Sequence, residues 1–128
     1  MKSIVICGSR RFRPEIRKFE QELRDAGITV FPPILNTNTG INDLPNDFKR
    51  YAFLGLTWHH IEFIRKADIV FFFNKDGYLG ISSTLEMGAA AALGKPIFAL
   101  EDEKEEACRK VLIDEIISLS QELIKHLK

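Results

Sequence analysis

Two short apolar runs on either side of a glycine-punctuated helix constrain this chain more than any other feature. Ile69-Val-Phe-Phe-Phe73 has no polar side chain, and Ile97-Phe-Ala-Leu100 is a second such run. A strand that is apolar on both faces needs both faces covered, which is the situation inside a parallel sheet. Between the runs, Gly77 and Gly80 mark a loop, and a helix is predicted to open near Ser82 or Ser83. Gly94 closes that helix and Pro96 forbids its continuation. The unit is strand, loop, helix, strand. Ligands of such sheets gather where strands end and helices begin, so Gly77 to Glu86 is expected to line a pocket.

The chain opens on a similar unit. Ser3-Ile-Val-Ile-Cys7 reads as a buried first strand, and Gly8-Ser-Arg-Arg-Phe-Arg13 as the turn after it. Pro14 fits a first helical position; Ile16, Phe19, Leu23 and Ala26 form an apolar stripe that Gly27 ends. Ile28-Thr-Val-Phe31 is the second strand. The turn lacks both the Walker A pattern and the full dinucleotide fingerprint. Helix N-terminal amides, a hydroxyl and guanidinium groups nevertheless all donate to anions, so Gly8, Ser9 and Arg10 together are assigned to a phosphate. For any single arginine a solvated basic turn is the competing reading.

Further along, Pro32 to Asn46 is a long polar loop, read equally as a binding loop or as functionless disorder. Asn46 or Asp47 can cap a helix through Phe48, Tyr51 and Phe53. Gly55 is expected to interrupt it and Thr57 to restart it towards Ile61, Ile64 and Ala67. Adjacent His59 and His60 point about 100° apart on a helix and are poor joint metal ligands. At the C-terminus two readings compete. One long helix would use Cys108, Leu112, Ile116, Leu119, Leu123 and Leu127 as its stripe. Alternatively Ile113 to Ile117 is a fifth strand, and Ser118-Leu-Ser-Gln121 opens a last helix as a capping box.

With 128 residues and 45% hydrophobic content, the chain suits one domain spanning residues 1–128. Eighteen basic residues balance eighteen acidic ones, which argues against a nucleic-acid or membrane-surface partner. Cys7 and Cys108 have no metal-ligand or redox spacing, and Cys7, inside a strand, reads as a buried inert thiol. Neither a metal nor a cofactor is expected. No signal-peptide pattern or transmembrane-length run is seen, so a cytoplasmic setting is the default expectation.

Glu86 carries the chemistry of the central unit, in one of two ways. It is a carboxylate aimed into the pocket as nucleophile or base, or it closes a capping box, Ser83-Thr-Leu-Glu86, onto the Ser83 amide. After it, Gly88, Ala89 and Ala92, with Leu85, are expected to form a face that lets the helix approach the sheet closely.

The series Gly77-Tyr78, Gly80, Ser82, Glu86, Gly88, Ala90 and Ala92-Leu-Gly-Lys-Pro96 resembles the nucleoside 2-deoxyribosyltransferase superfamily. That group includes the 2'-deoxynucleoside 5'-monophosphate N-hydrolases. The resemblance is specific from Asp68 to Pro96 and looser from Ser3 to Leu100. It implies a three-layer α/β sandwich with a flavodoxin-like, Rossmann-like parallel five-stranded sheet of order 2-1-3-4-5. It also implies cleavage of an N-glycosidic bond, with Glu86 as the nucleophile that forms a covalent glycosyl intermediate. Gly80 stands where transferases usually carry an aspartate, so hydrolysis is favoured over transfer. Asp76 and Asp68 are the nearest carboxylates for the second acid; Asp68 reads rather as the end of the preceding helix, which leaves Asp76. Gly77, Tyr78, Gly80, Ser82 and Ser83 would bind the substrate, a nucleoside or nucleotide, with Gly8, Ser9 and Arg10 near a 5'-phosphate. A homodimer or homotetramer is expected, with Phe53 and Trp58 as interface anchors. A non-catalytic nucleotide sensor of the same fold, and an enzyme on another N-ribosyl substrate, are the alternatives.

Overall fold

The computed structural model describes residues 2–35 and 40–128. Five strands, β1 (Ile4–Gly8), β2 (Val30–Phe31), β3 (Ile69–Phe73), β4 (Ile97–Ala99) and β5 (Glu115–Ile116), form one sheet of order β2-β1-β3-β4-β5. Every pairing is parallel; Ile4 to Gly8 runs in register beside Ile69 to Phe73. The helices are α1 (Arg13–Asp25), α2 (Asn46–Lys66), α3 (Ile81–Ala92), the single-turn α4 (Ala107–Lys110) and α5 (Ser120–Leu127). None of the described helices is long and apolar enough to cross a membrane.

The strand period of two sorts the core into two halves. Ile4, Ile6, Phe71 and Phe73 face α1 and α5, where they meet Ile16, Phe19, Leu23, Leu123 and Leu127. Val5, Cys7, Val70 and Phe72 face α2 and α3, where they meet Ile64, Ala67, Met87 and Ala90. This gives the three layers and explains why the two central strands carry no polar side chain. The sheet reverses its winding between β1 and β3, and a crevice opens at their carboxyl ends.

Several local expectations are corrected. Gly55 does not break α2, which runs unbroken for 21 residues; an exposed glycine inside a helix costs only about 1 kcal/mol, within reach of tertiary packing. Its N-cap is Pro45, with no side-chain cap. At the C-terminus the long helix is absent. Chain turns through α4 into β5, and Asp114 accepts the Ile97 N–H at 2.8 Å, pinning the fifth strand to the fourth. The capping box at Ser118 does not form: Leu119 is the N-cap of α5, and Ser120 Oγ instead hydrogen-bonds the Glu22 carboxylate on α1.

Helix α3 starts at Ile81 from an N-cap at Gly80, so Ser83 lies inside its first turn and the Ser83–Glu86 capping box is not made. Its buried positions are Ser83, Met87 and Ala90. The face expected to meet the sheet, Leu85, Gly88 and Ala92, is exposed, with Ala89 half-buried. The reason is the helix phase: fixing the start at Ile81 turns the 83/87/90 stripe inward. The Gly-Lys-Pro end has its own physical account. Gly94 adopts φ +70°, and the Gly94 and Lys95 N–H groups return to the carbonyls of Ala91 and Ala90. The Lys95 ammonium then donates to the Ala67 carbonyl at the end of α2, at 2.8 Å.

Candidate functional site

The crevice at the carboxyl ends of β1 and β3 is a cavity of about 510 Å³. Gly8, Ser9 and Arg10 line it from the end of β1; Tyr78 and Gly80 line it from the loop after β3. Ser82, Ser83 and Glu86 close it from the first turns of α3, while Phe53, Leu56, Thr57, His60 and Ile61 of α2 form the opposing wall. Ile34 and Pro33 contribute from the loop after β2; Asn36 to Thr39 lie outside the described residues.

Eight of the ten residues singled out from the sequence line this cavity; Asp76 and Gly77 do not. Asp76 is exposed, in the left-handed region at φ 57°, and its N–H donates to the Glu101 carboxylate at 2.8 Å. Together Asp76 and Gly77 form the tight turn that carries the chain from β3 to Tyr78. Asp68 is also remote: it accepts from the Ser3 N–H and hydroxyl, at 2.7 and 3.0 Å, and those bonds hold its carboxyl below the usual range.

The first loop positions Tyr78. The Arg11 guanidinium sits 3.7 Å over its ring and Phe12 meets it edge-on. Ser9 Oγ accepts the Arg11 N–H at 3.1 Å, capping the short turn, and its own proton stays available to a ligand. Arg10 reaches the rim, exposed.

At the cavity floor lies a contact that adjacency in the sequence hid. His60, buried on α2, points Nε2 at Glu86 Oε2 at 3.3 Å and at Cys7 Sγ at 3.3 Å. His59 is exposed and packs on the Phe63 ring. The available signal was spacing: His60, Ile64 and Ala67 recur at i, i+4 and i+7 and share the buried stripe. Burial pushes the Glu86 carboxyl up to about 8 and, with help from the His59 charge, the His60 imidazole down to about 4. Both charged forms are penalised, so the resting contact is between neutral groups rather than an ion pair despite its salt-bridge distance. A protonated carboxyl and a neutral imidazole therefore face each other across the neutral range. Behind it, burial also raises the Cys7 thiol well above its ordinary value, with Glu86 adding to the effect.

The first turn of α3 is braced from outside. Thr84 Oγ1 donates to the Gly80 carbonyl at 2.9 Å and accepts from Arg109 at 3.2 Å. Arg109 itself forks onto buried Glu103, with bonds of 2.9 and 3.0 Å. A second depression of similar volume lies beside α1, lined by Glu15, Lys18, Glu22 and Lys75 among others. It is more open and holds no comparable carboxyl–imidazole contact.

No family model matches the chain, and no curated protein does. Among solved structures, it is similar to a 2-deoxyribosyltransferase from the psychrotolerant bacterium Bacillus psychrosaccharolyticus. The TM-score is 0.71 and the identity 24%, over 95% of this chain and 90% of that one. It is also similar to a conserved protein from Enterococcus faecalis V583, with a TM-score of 0.63 and 14% identity over 99% and 97% of the two chains. At these identities the likeness establishes the fold, and the fold is the one the sequence resemblance implied.

Proposed function

We propose that this chain cleaves the N-glycosidic bond of a deoxynucleoside or its 5'-monophosphate, with water as the favoured acceptor of the sugar. The observation that carries the reading is the Glu86 carboxyl on the cavity floor, 3.3 Å from an imidazole that can take its proton. The fold shared with a 2-deoxyribosyltransferase supports it.

Glu86 must be ionised to attack. With substrate bound, the proton of the pair passes to His60 and leaves a carboxylate beside the anomeric carbon. The carboxylate oxygen forms a bond to C1' as the bond from C1' to the base nitrogen breaks, and that electron pair goes to the base. The transition state is oxocarbenium-like, so a carboxylate in a low-dielectric cavity stabilises it directly. His60 gives its proton to the nitrogen of the departing base, which leaves neutral. His60, neutral again, then accepts a proton from water as it attacks the glycosyl ester, returning the free sugar and the original pair. His60 thus takes the acid–base role that the sequence reading gave to Asp76. Ser9, Arg10 and the amides at the start of the first loop receive the 5'-phosphate.

The cavity wall also supports a paired assembly. Phe53, Ile81 and Leu85, which line the cavity, are 44, 84 and 69% exposed, and Trp58, also on α2, is 53% exposed; a second copy would cover this apolar surface. Purified protein incubated with a panel of nucleosides and 5'-monophosphates should release free base, resolved by chromatography. Glu86→Gln should stop it while ligand binding persists. A wild type inert across the panel refutes the reading.

A further inference from the structure

We propose that Cys7, His60 and Glu86 form a site for a thiophilic divalent cation of the zinc class, and that the cation, by holding the Glu86 carboxylate, switches the cavity off. The three donors come from three elements: the end of β1, the middle of α2 and the second turn of α3. One ligand atom from each, sulfur, nitrogen and oxygen, lies within 4.8 Å of the other two. Sγ and Oε2 are each 3.3 Å from the same nitrogen. A tetrahedral zinc ion with bonds of about 2.0–2.3 Å spaces such ligands on the order of 3.3–3.6 Å apart, which the two edges at His60 already match, and the third, between Sγ and the carboxylate, is within 4.8 Å.

Charge argues the same way. A divalent cation with one thiolate, one carboxylate and a neutral imidazole is a neutral assembly, which a buried floor tolerates far better than any one of those charges alone. Donor type sets the class of ion. Sulfur and imidazole select zinc, cobalt or copper(I) over magnesium and calcium, which take oxygen ligands. Cys7 and His60 are buried while Glu86 and His60 face the cavity, so a fourth position opens towards the ligand space. Among the described residues this is the one such cluster of three or more His, Cys, Asp or Glu.

The ion and the proposed substrate compete for one carboxylate. Metal binding stands on geometry alone, whereas the inhibitory consequence rests on the proposed glycosidic activity, and the test separates the two. Chelator-treated protein carrying Cys108→Ser, which removes the exposed thiol, is titrated with cobalt(II) and followed by absorption. One equivalent should produce the near-ultraviolet thiolate-to-cobalt charge-transfer band, and zinc should abolish it by displacement. Adding Cys7→Ser should remove the band and weaken zinc binding, by calorimetry, at least tenfold; His60→Ala should weaken it similarly. Far-ultraviolet circular dichroism verifies folding, and His60→Ala decides the matter if Cys7→Ser does not fold. No charge-transfer band in the parent, or equal zinc affinity in parent and variants, overturns the site. If base release is present, zinc should inhibit it and a chelator restore it; activity indifferent to bound zinc overturns the switch and leaves the site standing.

Discussion

Replacing Glu86 by glutamine should stabilise the protein at neutral pH, and the amount follows from where the carboxyl sits. Burial raises its pKa to about 8 from an ordinary 4.5. A carboxyl with a raised folded-state pKa holds its proton more tightly folded than unfolded. Its contribution is therefore fully present below 4.5 and is lost as pH rises towards 8. Each pH unit inside that window is worth about 1.4 kcal/mol, on the order of 3 kcal/mol by pH 7 and 5 kcal/mol by pH 8. The Glu86 side chain is 21% exposed, and solvent reaching it trims the effect at pH 7 to about 2–3 kcal/mol. Glutamine has the shape of the protonated carboxyl and can still donate to His60 Nε2, so the variant keeps the contact and loses the titration. Urea denaturation of both proteins, with chelator present, should give curves that coincide near pH 4.5–5 and diverge steadily to about pH 8. The acid-side loss from buried His60 is common to both and cancels in the difference. Parallel stabilities across that range, or a wild type favoured at the alkaline end, would show that Glu86 is ionised and paired with an imidazolium. That would refute the neutral-pair reasoning.

Arg109→Ala strands the Glu103 carboxylate, 1% exposed, and should cost about 3–5 kcal/mol in chemical denaturation; Arg109→Lys, which cannot fork, should recover part of it. Burial works against the Glu103 charge, yet its bonds to Arg109 and to backbone N–H groups hold its pKa low overall, so this contribution is present at neutral pH and lost on acidification. Arg10→Ala should erase a preference for monophosphate over nucleoside of about ten- to hundredfold in calorimetry, the worth of one charge-assisted contact; equal affinities in the wild type would remove Arg10 from the phosphate site. Trp58→Asp, at a side chain 53% exposed on the α2 rim, should shift sedimentation from dimer to monomer, and a wild type already monomeric at micromolar concentration rejects the pairing.

Much of this molecule was legible one residue at a time. The unbroken apolar runs at 4–7 and 69–73 dictated central parallel strands, because a polar side chain on either face would have had no water to meet. Gly27 and Gly94, at φ 85° and 70°, marked helix ends, because the left-handed conformation there excludes most side chains. The placement of Glu86 just past a glycine loop put a carboxyl in the crevice. Three things needed the tertiary structure. The phase of α3 depends on where its first turn locks onto the sheet, which shifted the buried face to Ser83, Met87 and Ala90. The strand read at 113–117 forms as β5, but that β4 and Asp114 hold it while the long-helix alternative fails was a matter of tertiary pairing, since periodicity alone favours the helix. Above all, the Cys7–His60–Glu86 cluster joins residues 53 and 26 positions apart in the chain; Glu86 stood out in the sequence, but its partners did not, a thiol in a strand and a histidine in a weakly patterned helix. The sequence determines each element and the face it turns inward; only packing α2 and α3 together over β1 brings three reactive side chains to one point, and burial there sets where their protons reside.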